Sequence, residues 1–143
     1  MKPTFCLTAL LIFSFLGCKS QHYSFEELPP ERIVFGNGGG ITGASDTYVL
    51  LENGQLFHTN SLTKETIELE KISKKEAKKC FSKIDSLNLS KMEFEHPGNR
   101  YYFIEEIHGD EKVKVTWGSN DHEIDEGCKE FYKELMTTIQ YND

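Results

Sequence analysis

Asn53-Gly54, set between the apolar stretches 47–52 and 55–60, constrains this chain more than any other pair of residues. Asn-Gly between apolar runs is the strongest short signal for a β-hairpin, because both residues tolerate the positive φ that a tight turn needs. A two-residue turn there pairs Leu51 with Leu56 and Leu50 with Phe57, so both faces of the hairpin carry apolar side chains. A second hairpin is expected from residues 101–108 and 112–118, turning at Gly109-Asp110. In that register Tyr102, Ile104, Val115 and Trp117 share one face. Tyr101, Phe103, Glu105, Ile107, Lys112 and Lys114 share the other, with Glu105 opposite Lys114 as a cross-strand pair.

Residues 32–35 read as a first strand. The glycine-rich stretch that follows, Gly36 to Gly40 with Gly43, reads as a flexible turn between strands. Residues 66–71 alternate, Ile67 and Leu69 against Glu68 and Glu70, as a half-buried strand does. Residues 73–87 predict the clearest helix. Ser73 and Glu76 match the capping box, each satisfying a free backbone N–H of the other. Ala77, Cys80, Phe81, Ile84 and Leu87 then recur at helical spacing. Ile124, Cys128, Phe131, Leu135 and Ile139 trace a second amphipathic helix. The order β-β-β-β-α-β-β-α predicts an α+β domain, an antiparallel sheet of about six strands with both helices on one face.

The chain starts with a different kind of segment. Lys2 precedes an apolar run from Phe5 to Leu16, and Phe15-Leu16-Gly17-Cys18 follows. A basic start, a short apolar core and a small residue before a cut make a secretory leader. A run of about twelve apolar residues is too short for a span that needs roughly twenty. A cysteine directly after the small residue makes the segment resemble the bacterial lipoprotein signal, which implies cleavage before Cys18 and lipid on Cys18. Residues 1–17 are then signal peptide, 18–31 a polar lipidated tether ending in Pro29-Pro30, and 32–143 a single domain. Lys19 follows the cysteine, so no acidic residue resembles an inner-membrane retention signal, and no acidic cluster resembles a surface-export signal. The expected site is the periplasmic face of the outer membrane, with the lipid bilayer as a partner through acylated Cys18.

Loss of Lys2 with the leader leaves fifteen basic residues against 23 acidic ones, a formal charge near −8. Such a chain repels nucleic acid, which is not expected as a partner. The pairs Lys74-Lys75 and Lys78-Lys79, interleaved with Glu76, read as a solvated helix face. Two cysteines remain in the domain, Cys80 and Cys128, both on apolar helix stripes. The compartment permits a disulfide between them if their Cα atoms lie within about 7 Å; two buried thiols are the alternative.

The glycine stretch is followed by neither Gly-Lys-Ser/Thr nor a helix, which excludes a phosphate loop. No Gly-x-Ser-x-Gly elbow and no His-Glu-x-x-His pair occurs. Asp121-His122-Glu123 with Asp125 reads as helix-capping acids. No catalytic residue, cofactor or metal is expected.

With its signal through Cys18, its Gly-rich stretch, Leu51-Glu52-Asn53-Gly54-Gln55-Leu56 and Gly98-Asn99-Arg100-Tyr101-Tyr102-Phe103, the chain resembles the short, mostly uncharacterised lipoproteins of Bacteroidota. That resemblance implies no particular activity. Gly38-Gly39-Gly40-Ile41, Arg100-Tyr101-Tyr102-Phe103-Ile104-Glu105 and the closing helix are faintly similar to emfourin, a small protein inhibitor of thermolysin-like proteases. The resemblance implies no inhibitory residue here. The expected function is a membrane-anchored, non-enzymatic module that binds a protein partner through Tyr101, Phe103 and Ile107 on the outer sheet face. A cover over that face, from Tyr23 and Phe25 or from curling of the sheet, is the competing expectation. An inhibitor of a periplasmic or secreted protease is one version of the module. An enzyme with a dispersed site is the other class.

Overall fold

A computed structural model describes residues 21–140. The leader and Cys18 lie outside the described residues. Six strands form one antiparallel sheet: β1 (Glu31–Gly39), β2 (Ser45–Leu51), β3 (Leu56–Asn60), β4 (Thr66–Leu69), β5 (Arg100–His108) and β6 (Glu111–Trp117). They lie in the order β4-β3-β2-β1-β5-β6. Helix α1 (Lys74–Leu87) follows β4, and α2 (Glu126–Gln140) closes the chain. The α+β order is the one expected. Among the described residues no helix is long and apolar enough to cross a membrane.

Both helices pack on one face of the sheet. Ile33, Phe35, Leu50, Leu56, Ile104, Val115 and Trp117 meet Ala77, Cys80, Phe81 and Ile84 of α1 and Cys128, Phe131 and Leu135 of α2 there. Helix α1 begins where its capping box is complete: Ser73 Oγ accepts the Glu76 N–H, and Glu76 accepts the Ser73 N–H at 3.1 Å. Ser73→Ala is expected to cost about 1 kcal/mol in urea unfolding. No measurable loss would mean that the helix starts elsewhere.

The second hairpin keeps its expected register, Glu105 opposite Lys114 and Tyr102 opposite Trp117. The first does not. Leu50 pairs with Leu56 and Val49 with Phe57, one residue away from a two-residue turn. The loop is Glu52-Asn53-Gly54, closed by Gly54 N–H to Leu51 O at 2.9 Å and Leu51 N–H to Gln55 O at 3.0 Å. Only Gly54 takes a positive φ, +91°. Asn53 instead uses its side chain, whose Oδ1 accepts the Gln55 N–H at 2.9 Å. A positive φ confined to the last loop residue is the pattern of a three-residue hairpin turn. Because strand side chains alternate, the single-residue shift puts Leu50 with Leu56 on the helix side and sends Leu51 to the outer side with Val49 and Phe57.

The glycine stretch is not a flexible turn. Gly36, Gly38 and Gly39 belong to β1, which pairs with β2 on one side and β5 on the other. The turn is confined to residues 40–44 and is closed by Gly39 N–H to Ala44 O at 3.0 Å. Phe103 lies opposite Gly36, and Tyr101 lies opposite Gly38. A Cβ on Gly38 would come within 2.5 Å of the Tyr101 hydroxyl. The missing side chains make room for aromatic rings from the neighbouring strand, which is why glycine is compatible with a central strand here.

Candidate functional site

The outer sheet face, expected to carry the binding surface, is a second small core. Val34, Val49, Leu51, Phe57, Phe103 and Ile107 are buried together, with Tyr23, Leu28 and Tyr101 packed against them. Phe103 is 6% exposed and Ile107 4%. Tyr101 is half-buried along β1. Lys114 Nζ stands 4.4 Å from the centre of the Phe103 ring and adds a lid. Tyr101, Phe103 and Ile107 are thus brought together, as the alternation implies, but as interior.

Much of the cover comes from the segment expected to be an extended tether. Gln55, fully buried, holds it at both backbone groups of one residue: Oε1 accepts the Tyr23 N–H at 2.9 Å, and Nε2 donates to Tyr23 O at 3.0 Å. Nε2 also donates to Glu68 at 3.0 Å, and Asn53 Nδ2 donates to Gln21 O at 2.7 Å. Phe25 packs on Phe57 with ring centres 5.7 Å apart. Gly109 N–H binds Pro30 O at 3.1 Å and pins the far end of the strap. The sequence signal was present: Tyr23, Phe25 and Leu28 are apolar residues in a polar stretch, without the period of a helix or strand.

The open surface lies at the glycine-rich end. There a cleft of about 280 Å³ is lined by Asn37, Gly38, Asp46, Arg100, Tyr101 and Tyr102 among others. Asn37 Nδ2 donates to the Tyr132 hydroxyl at 3.3 Å. Asp46 accepts from Asn60 at 2.9 Å and meets His58 Nε2 at 2.8 Å. Burial alone would raise the Asp46 carboxyl, but these hydrogen bonds outweigh it and hold the group below its ordinary value. His58 stacks on Tyr48, ring centres 4.5 Å apart, so the pair braces the cleft wall. Tyr102, expected in the helix-covered core, is instead 36% exposed and stacks on Trp117, beside a second groove of about 260 Å³. Two loops flank this end. Ile41 is fully exposed at the tip of the β1–β2 turn, and Leu62 is exposed in the β3–β4 loop. The loops are tied together by Ser61 N–H to Ser45 O at 2.9 Å and Ser45 N–H to Ser61 Oγ at 2.8 Å. The cleft falls just under the roughly 300–1,000 Å³ of small-molecule pockets, a size suited to a side chain or two.

At the opposite end, His108 sits between carboxylates. Nε2 meets Glu106 at 2.9 Å and Nδ1 meets Glu31. Asp85 of α1, Glu106 and His108 hold their ligand atoms within 4.8 Å of one another, and Glu111 is His108's register partner on β6. Both ring nitrogens are engaged, so a protonated His108 donates to Glu106 and to Glu31 and offsets one of the negative charges. The hydrogen bond to Glu106, then that to Glu31, raise the His108 pKa above its ordinary 6.5. The stability gained is therefore fully present below pH 6.5 and is lost as pH rises through the higher folded-state value. Urea midpoints are expected to fall over that window, and His108→Gln should remove the fall. An identical pH slope in both proteins would contradict this.

Cys80 and Cys128 are free and buried, not bridged. The helices run antiparallel, with Leu87 against Gly127 and Lys83 on Glu134. The level of Cys128 is thus near Leu87, about two turns or roughly 10 Å along the axis from Cys80, beyond disulfide reach. Cys128 Sγ lies 3.5 Å from Met92 Sδ. Burial pushes the Cys128 thiol up to about 11 and raises Cys80 as well, so neither is a nucleophile near neutrality. Asp125 caps α2, its Oδ1 accepting the Gly127 N–H at 2.9 Å. His122 stacks on His96, ring centres 3.7 Å apart.

No protein-family model matches the chain, and no curated protein matches it.

Proposed function

We propose that the chain is a lipid-anchored, non-enzymatic binding module at the periplasmic face of the outer membrane, and that it meets a protein partner at the glycine-rich end. The observation that carries this reading is Ile41: a fully exposed apolar side chain on a turn braced at its base. Gly40 N–H binds Asn99 O at 2.7 Å beneath it. An apolar side chain on a braced turn is a pre-organised anchor, because little conformational entropy is lost when it docks. Leu62 beside it and the cleft of Asp46 and Arg100 supply the apolar and charged parts of one surface. Of the former candidates, Phe103 and Ile107 are excluded as primary contacts by their burial, whereas half-buried Tyr101 lines the cleft.

The test is crosslinking and capture of the intact lipoprotein from native membranes, with Ile41→Asp and Leu62→Asp alongside. Both substitutions are expected to abolish capture of the partner and leave the melting temperature unchanged. A partner retained by both variants would sink the assignment. The same protruding turn favours one specific version, an inhibitor of a periplasmic or secreted protease. Inhibition of such an enzyme that is lost with Ile41→Asp would establish it.

A further inference from the structure

The strap fixes where the lipid must lie. Gln21, whose carbonyl is bound by Asn53 at the β2–β3 turn, is three residues after Cys18 in the sequence. Three residues reach about 11 Å at most. A lipid on Cys18 therefore holds the β2–β3 turn at headgroup level, where an unbound tether would have let the domain tumble.

A second feature coincides with that corner. Ile72 N–H binds Gly54 O at 3.0 Å, so α1 starts beside the turn. Its first two turns expose Lys74, Lys75, Lys78 and Lys79. Cations at the positive end of a helix dipole are electrostatically unfavourable for the isolated domain. Glu76, the acid between them, is committed to the capping box. Glu52, Glu68 and Glu70 also stand at this corner, Glu68 held by Gln55 and by His22 at 3.4 Å. Although the mature chain is acidic overall, potentials near a membrane act within a Debye length, about 8 Å at physiological salt. With Lys71 beside Gly54, five lysines here outnumber Glu52, Glu68, Glu70 and Glu76 by one, and a lysine cluster beside an acyl anchor is how peripheral proteins engage anionic lipid.

Resting on the anchor reading above, we propose that the corner formed by the β2–β3 turn and the first two turns of α1 lies on anionic headgroups. Ile41 and Leu62, at the other end of the strands, then point away from the membrane. Positions 52 and 62 are separated by roughly 20–25 Å along β3.

The full chain, processed in cells and reconstituted into phosphatidylethanolamine–phosphatidylglycerol vesicles, tests this. A fluorophore is placed on Glu52→Cys or Leu62→Cys, Cys80 and Cys128 being buried. A headgroup spin-labelled lipid serves as quencher. Quenching several-fold stronger at position 52 is expected. Combined Lys→Glu changes at 74, 75, 78 and 79 should bring the two positions towards equality while the protein still floats with the vesicles. Flotation with equal or reversed quenching in the parent chain would overturn the orientation alone. An unchanged ratio in the Lys→Glu variant would overturn the role of the lysines. A protein that does not float would overturn anchor and orientation together.

Discussion

Phe103→Ala is expected to destabilise the domain by about 3–5 kcal/mol, as much as Trp117→Ala. The two rings lie on opposite faces of the sheet and are 6% and 8% exposed. Trp117 is enclosed by the helices and Tyr132, at 5.3 Å between ring centres. Phe103 is enclosed by Ile107 and the outer-face cluster, by the Lys114 stem and by the backbone of Gly36. Truncating either leaves a cavity that a paired strand cannot collapse to fill. Urea unfolding of both variants decides it. A Phe103→Ala protein as stable as the parent would mean an open outer face.

Gly36→Ala is expected to lower stability by about 3 kcal/mol or more, although it adds only one methyl group. The new Cβ would stand 2.0 Å from the Asp46 carbonyl oxygen and 3.0 Å from the Phe103 ring. The first obstacle is backbone of a paired strand, so relief requires β1 and β2 to separate. Gly43→Ala, in open space on the β1–β2 turn, is the control, although its φ of +63° carries a smaller strain. A Gly36→Ala protein with the parent's midpoint would mean that β1 is not paired through the glycine stretch.

The elements that sequence resolves are those written in local chemistry. Ser73 with Glu76 starts α1, the stripe from Ala77 to Leu87 orients it, and Gly109-Asp110 fixes the second hairpin in register. The features it hides depend on partners distant in sequence. Glycines in β1 look like a turn until Tyr101 and Phe103, more than sixty residues later, are laid across them. The Asn53-Gly54 hairpin was legible, but not whether Asn53 would adopt a positive φ or spend its side chain on Gln55. Tyr23, Phe25 and Leu28 follow no period because a strap lying across a sheet needs none. Its recognition depends on the buried Gln55, whose polar side chain gives no sign of interior placement by itself. The helix stripes placed both cysteines inward correctly but were silent on the offset that keeps them apart.

That strap also alters the functional reading. Its Tyr23 and Leu28 pack on the outer-face cluster in which Phe103 and Ile107 are buried, its Gln21 carbonyl is bound at the β2–β3 turn, and Ile41 stays exposed at the glycine-rich end. The most direct test is amide hydrogen exchange at Tyr23 in the full chain. Its N–H is donated to the buried Gln55 side chain, so it should exchange orders of magnitude more slowly than the exposed Thr42 amide, and Gln55→Ala should release it. A Tyr23 amide that exchanges as fast as Thr42 in the parent protein would contradict the account.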